Sequence, residues 1–340
     1  MTKHLLPLTT PPKTSHLLLA LPLSIALTDA STWNWYYSEF IQLYTFRDNN
    51  EQPMFLPYNA TTDESYAPLE QFKFTPDRLK LDKDIVTFIK LMIRHEYYVC
   101  VFCNDFYISN MDVDYQRIHE ILINGYDDEK SIFNVYAYVG PKLKKIEVSY
   151  QEFLNAYYSE FTKDLPNTII LYRKRKNQTY SLNIEKIKWH LLDYIEGVDT
   201  SIREKPHDAG LYNTRWGIDT YDEILVMYTY FYNEYEYFPY TDIYCFLEHK
   251  NDNVNRIKYL EKNSSLSYNA EIMNSLESVK NNATLMLNLQ IKANHHIAND
   301  AFKKDIFFNK IESIITRMRD VEHNALKSYY AYNSEIFRSF

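Results

Sequence analysis

Hydrophobic positions change rhythm several times along the chain. Leu17–Leu27 (LLLALPLSIAL) is apolar almost throughout, which fits a strand buried on both sides. It falls short of the ~20 apolar residues that a bilayer span needs. Pro22 interrupts it, and neither a basic leader nor an A-x-A cleavage site flanks it, so it does not read as a signal peptide. Trp33–Phe46 then spaces its apolar residues three and four apart, predicting a helix with Asp29, Ser31 and Thr32 as candidate N-caps. Arg47–Pro76 is polar and proline-bearing and reads as irregular. Asp82 or Asp84 is placed to cap a helix running to Arg94.

Strand patterns follow at Tyr97–Cys103, Ile118–Tyr126, Ile132–Val139 and Lys144–Val148, with the polar run Asp127–Lys130 as a hairpin loop. Ser149 and Glu152 form a capping-box pattern that opens a helix through Phe161. Thr168–Arg173 is a further strand, the basic run Arg173–Lys176 a solvated turn, and Asn183 a cap for the next helix.

Beyond the connector Gly197–Trp216 nearly every segment is helical. Asp242 is a candidate cap for a helix carrying Glu248-His249-Lys250 on its polar side. Ile272, Leu276, Val279, Ala283, Met286, Ala293 and Ile297 form one seam, interrupted by Gln290. Phe307, Ile311, Ile314, Met318, Val321 and Ala325 form another. Alternating steps of four and three keep one stripe facing a partner helix. A short link around Asn299-Asp300 predicts an antiparallel pair within a bundle of about four helices. The expected class is therefore α+β: residues 1–196 fold as a helix laid on an antiparallel sheet, 197–215 connect, and 216–340 form an all-α bundle.

Composition narrows the function classes. At 340 residues with 46% hydrophobic and 24% charged positions, the chain is long enough for about two globular domains. A net charge of −8 opposes nucleic-acid and anionic-membrane binding, which need a positive surface. Five glycines leave little for a phosphate-cradling loop, and no cofactor is expected. Three cysteines, an odd number, point to a reducing, cytoplasmic setting. The 32 tyrosines are spread along the whole chain and mark no single face.

Cys100 and Cys103 form a CxxC inside a strand, where residues three apart point to opposite faces, so no metal site is expected there. The segment Tyr115–Tyr138 sets His119 at the start of a strand that ends in Gly125-Tyr126-Asp127-Asp128. A strand holds an imidazole rigidly, as a general base requires.

This His-strand-Gly-Tyr-Asp pattern, with the glycine six residues after the histidine, resembles the histidine half of papain-like folds. It is similar in particular to bacterial double-glycine peptidases and to the N-terminal domain of butirosin biosynthesis protein H. WYYSEFIQLY, VNRIKYL and Glu248–Lys250 extend the likeness to uncharacterised proteins of spore-forming bacteria found near natural-product gene clusters. The resemblance implies a papain-like N-terminal domain with His119 in the general-base position. It also implies an acyl-carrier-protein thioester donor and an amine acceptor.

Two expected roles are unfilled. The helix that should begin with the nucleophilic cysteine starts near Ser31–Trp35 and has none. The third triad position falls near Tyr136–Tyr138, with Asn134 as a substitute on the face of Tyr136. Ser31 or Thr32 is left as a hydroxyl nucleophile, although N-capping also explains both. His119 is a structural, a binding or a basic residue. The reading that follows leans away from an enzyme. It is a catalytically degenerate accessory or binding protein of specialised-metabolite biosynthesis, with an acyl or peptidyl ligand or a carrier protein as partner. Trp33, Trp35, Tyr107, Asn134 and Tyr136 line its expected cleft with His119. The alternatives are an acyltransferase or amide hydrolase using His119 with a hydroxyl nucleophile, and a structural protein forming a homodimer through the bundle.

Overall fold

A computed structural model describes residues 2–47, 53–57, 66–75, 84–162, 168–204, 214–298 and 302–340. The elements run β1 (Lys3–Leu5), α1 (Leu17–Ala26), α2 (Thr32–Glu39), β2 (Leu43–Arg47), β3 (Pro53–Pro57), β4 (Leu69–Phe74), α3 (Ile85–Arg94), β5 (Tyr98–Asn104) and β6 (Ile118–Asp127). Then come β7 (Ile132–Val139), β8 (Lys142–Ser149), α4 (Tyr150–Tyr157), β9 (Ile169–Lys174), α5 (Ile184–Glu196), the single turn α6 (Ser201–Glu204) and β10 (Thr214–Trp216). The helices α7 (Tyr221–Tyr235), α8 (Tyr240–Asn263), α9 (Ala270–Ala298), α10 (Lys304–Tyr332) and α11 (Ser334–Arg338) close the chain. The protein is thus α+β, with antiparallel sheets and a helical C-terminal region. No described helix is long and apolar enough to cross a membrane.

The chain divides into two compact units. One is Met1–Thr32 with Asp63–Thr179, the other Trp33–Thr62 with Tyr180–Phe340. The connector expected at Gly197–Trp216 falls within the span of the second unit, and its residues 205–213 lie outside the described set.

In the first unit, described strands form an antiparallel sheet in the order β4-β9-β5-β6-β7-β8, with β1 also on β6. The register pairs Cys103 with His119, Cys100 with Leu122, and Leu122 with Tyr136. Between Ile123 and Gly125 the register with β7 shifts by one residue, a β-bulge. Asp84 caps α3 by accepting from the Thr87 amide at 2.9 Å; the alternative cap, Asp82, lies outside the described residues. The capping box at Ser149 and Glu152 forms. Glu152 also accepts from the Ser109 amide and hydroxyl at 3.1 and 2.5 Å. Burial opposes its charge, but these donors from Ser109 and Ser149 outweigh it and hold the carboxyl down at about 2.

Leu17–Ala26 is a helix, not the expected strand. A continuous apolar run has no period to separate the two, and here burial on nearly all sides satisfies the helix. Pro22 cannot donate to the carbonyl of Leu18. The Tyr66 hydroxyl supplies that donor from outside, at 3.1 Å. The stretch read as irregular, Arg47–Pro76, contains β3 and β4, and the helix expected over Trp33–Phe46 stops at Glu39 before β2.

In the second unit, β10-β2-β3 form a small antiparallel sheet and the long helices pack side by side. The seam of α9 is as expected from Ile272 to Ala293, Ile297 is only half-buried, and the exception Gln290 is buried. It accepts from the Tyr228 hydroxyl at 3.0 Å and donates to the carbonyls of Phe238 and Pro239 at 3.1 and 2.6 Å. The link at 299–301 lies outside the described residues. On α10 the buried stripe runs through Ile311, Ile315, Met318 and Glu322, and Ile314 and Val321 are only half-buried. Sequence favoured Val321 because Glu322 carries charge.

Glu322 is the centre of a buried polar cluster. It forms an ion pair with Lys250 at 2.7 Å, and both side chains are 0% exposed. Its oxygens also accept from Tyr221 at 2.7 Å, Tyr194 at 3.0 Å and Asn253 at 3.0 Å. Beside it, Tyr36 donates to Asp252 at 2.5 Å, and His249 Nε2 lies 2.8 Å from the Ile41 carbonyl. Arg256 donates to Asn253 and to the carbonyls of Tyr37 and Phe40. Glu248, His249 and Lys250 are therefore core residues, and the expectation of a solvated face is corrected. Each charge there has a partner, the condition for burying it.

Asp242 does not cap α8; Pro239 is the N-cap, and Asp242 accepts from the Phe55 amide of β3 at 2.9 Å. Burial raises its carboxyl to about 6, against the lowering effect of the amide bonds. The folded state then holds a proton that the unfolded chain releases between about pH 4 and 6. Stability should fall as pH rises through that window. Asp242→Asn keeps an oxygen for Phe55 and carries no charge. At neutral pH it should be more stable than wild type by up to roughly 3 kcal/mol, at about 1.4 kcal/mol per pKa unit. The difference should vanish near pH 4. Urea denaturation across pH measures this, and a pH-independent difference would contradict it.

Candidate functional site

The site is built where β5 ends beside the start of β6. Cys103 pairs with His119, and the Asp105 amide donates to the Arg117 carbonyl at 2.8 Å, continuing the ladder one pair beyond Asn104 and Ile118. Alternation then puts Cys103, Asp105, Arg117 and His119 on one face of the strand pair. Asp105 leaves the strand into a short 3-10 turn, Asp105–Tyr107. The Asn104 carboxamide accepts from the Phe106 amide at 3.2 Å and fixes the start of that turn.

Asp105 organises the group. Its Oδ2 accepts from Arg117 Nε at 2.9 Å, lies 2.7 Å from Arg117 Nη2, and is 3.2 Å from His119 Nδ1. The Asp105 side chain is 1% exposed, while that of His119 is 34% exposed. The buried carboxylate lies close to Nδ1, but Nδ1 makes no hydrogen bond among the described residues. Asp105 Oδ1 has no hydrogen-bond partner among the described residues. Tyr138 lies beside the imidazole, with ring centroids 6.5 Å apart.

A histidine beside a buried carboxylate is the pairing from which a nucleophilic triad builds its base, although the hydrogen bond to Nδ1 that such a triad uses is not formed here. The neighbouring carboxylate comes from the strand before His119, not the strand after it. Asn134 and Tyr136 do not fill that role, because the register sets them on the face of Leu122, opposite His119. Asp105 was missed because an acid ending an apolar strand also reads as an ordinary turn residue. The one signal for it was the polar pair Asn104-Asp105 closing the run YYVCVFC.

No hydroxyl completes the arrangement among the described residues. The Thr32 hydroxyl is directed to the carbonyls of Ala26 and Asp29, both at 2.7 Å. The Ser31 hydroxyl has no hydrogen-bond partner among the described residues, and its amide is held by Asp29 Oδ1 at 2.8 Å. Cys103 is His119's cross-strand neighbour, but burial first, then the Asp105 charge and Cys100, push its thiol well above the usual range. It is a neutral thiol at physiological pH. Cys100 lies on the other face, and no three His, Cys, Asp or Glu side chains gather as a metal site among the described residues.

The rest of the expected cleft is dispersed. Tyr107 closes the turn that Asp105 opens and is exposed. Trp33 and Trp35 belong to the second unit. There Trp33 meets Tyr36 edge-on and Tyr37 at a tilt, and Trp35 is buried edge-on against Phe40.

All three thiols are buried. At mildly alkaline pH the native protein should therefore show no fast-reacting thiol toward a disulfide reagent, and all three should react after denaturation. Rapid labelling of Cys103 in the native protein would instead reveal an activated thiolate. Comparison of the chain with protein-family models and with curated proteins gives no match.

Proposed function

We propose that this protein is a catalytically degenerate, papain-like accessory protein of bacterial specialised-metabolite biosynthesis. In this reading it binds an acyl or peptidyl intermediate, or the carrier protein that bears one. The observation that carries the proposal is a half-exposed imidazole beside the buried carboxylate of Asp105, with no activated nucleophile bonded to it among the described residues. Such a group still donates or accepts a directed hydrogen bond, so it can hold a ligand carbonyl or amine without attacking it. Support for the papain-like relationship is the sequence resemblance around His119 and Gly125.

One feature favours a second reading. Asp105 Oδ2 lies 3.2 Å from Nδ1, near the place where the carboxylate of a working general base sits. An acyltransferase or amide hydrolase would then use His119 to activate a hydroxyl or amine of the acceptor.

An acyl-pantetheine thioester separates the two. Wild type and His119→Ala are compared for thioester loss, and binding is followed by NMR on the labelled protein. The accessory reading expects saturable binding by wild type and equal background loss from both proteins. His119-dependent turnover, roughly a hundredfold or more as general bases provide, would establish the enzyme instead. Absence of binding by wild type would overturn both.

A further inference from the structure

On the sheet face opposite His119 the chain segment Leu5–Leu8 crosses beside β7 and β8 and leaves an open pocket of about 600 Å³. That volume lies in the range of small-molecule sites. One wall is Leu5–Leu8; the other includes Asn134, Lys145 and Glu147. The strand wall is held in place by pairing. Leu6 N donates to Asn124 O at 2.7 Å, and the Asn124 carboxamide donates back to Leu6 O at 2.6 Å. Both polar atoms of Leu6 and the Asn124 amide group are thereby used.

Asn134 differs. Its side-chain oxygen is buried and has no hydrogen-bond partner among the described residues. It sits over Gly125, where an added Cβ would approach it to 3.0 Å and would meet Leu5 Cδ1 and the His4 carbonyl at 2.7 Å. Glycine at this point lets Leu5 and the Asn134 carboxamide converge. A buried acceptor without a donor is costly unless a ligand or water satisfies it. At the rim Lys145 Nζ donates to the Leu8 carbonyl at 3.2 Å and keeps further protons for an anion. Glu147 is turned toward Lys130 at 3.3 Å.

We infer that this pocket is a binding site for an N-acyl amino acid or a similar acyl amide with a terminal carboxylate. The secondary amide N–H donates to Asn134 Oδ1, the carboxylate meets Lys145, and the acyl chain lies along Leu5–Leu8. The inference stands apart from the role of His119, because the two sites occupy opposite faces of the sheet and this one involves binding without chemistry.

N-octanoylglycine is the probe, with octanoic acid as the comparison lacking the amide. Isothermal titration and chemical-shift perturbation are read on wild type, Asn134→Leu and Lys145→Gln, each first shown to be folded by thermal melting. Wild type should bind N-octanoylglycine saturably and about tenfold or more tighter than octanoic acid. Asn134→Leu, close in volume but without the acceptor, should erase that preference. Lys145→Gln should weaken both carboxylates and leave the preference for the amide intact. Absence of saturable binding by wild type overturns the site. Equal binding of both probes, or an unchanged preference in Asn134→Leu, overturns the recognition of the amide. Should Asn134→Leu not fold, Asn134→Asp provides the same test. It places a charged acceptor at the position, and it should alter the ratio of the two affinities if the ligand donor faces residue 134.

Discussion

The carboxylate of Glu322 is the point on which the second unit turns. Tyr194 comes from α5, Tyr221 from α7, Lys250 and Asn253 from α8, and Glu322 itself from α10. One side chain therefore ties four helices to a common register. The Lys250 ammonium also faces the rings of Phe246, Tyr221 and Tyr194 at 4.3, 4.7 and 5.3 Å. Removing one partner of such a pair typically costs about 3–5 kcal/mol, because the other charge stays buried alone. Apolar seams permit helices to slide by a turn with modest loss, whereas a buried pair of opposite charges does not. This unit's specificity of packing therefore rests on the ionic cluster, and the apolar stripes supply the driving force.

How much of this was legible in the sequence depended on whether a local rule was decisive. The four strands from Tyr98 to Ser149, the capping box at Ser149 and the Asn183 cap follow from alternation and from short-range hydrogen bonding, and they form. Leu17–Ala26 did not declare itself, since a run without polar punctuation fits a strand or a helix equally. The helix stands in part on a hydroxyl from Tyr66, distant in sequence. Glu248–Lys250 and Glu322 misled for a different reason. Charge usually marks solvent, and only partners brought together by the tertiary fold make its burial tolerable.

The first unit shows the same limit at its candidate site. His119 was visible from a strand-turn pattern, and the acid beside it was not. Asp105 and His119 are joined by the pairing of β5 with β6, so their meeting depends on a register that a single sequence does not announce. The geometry also explains why a nearby cysteine is inert. The carboxylate beside the imidazole disfavours a thiolate there, adding to the effect of burial on Cys103.

The bulge at Ile123–Gly125 has a consequence for how β6 is to be read. Val135 and Phe133 lie on one side of β7, opposite Ile123 and Tyr126 respectively. Upstream of the bulge the odd-numbered residues of β6 share that side, and downstream the even-numbered ones do. The extra residue acts as a phase slip in a two-residue wave. A one-residue deletion at Asn124 would remove the slip and leave His119 and Tyr126 on the side they now share, whereas a one-residue deletion between His119 and Ile123 would put them on opposite sides.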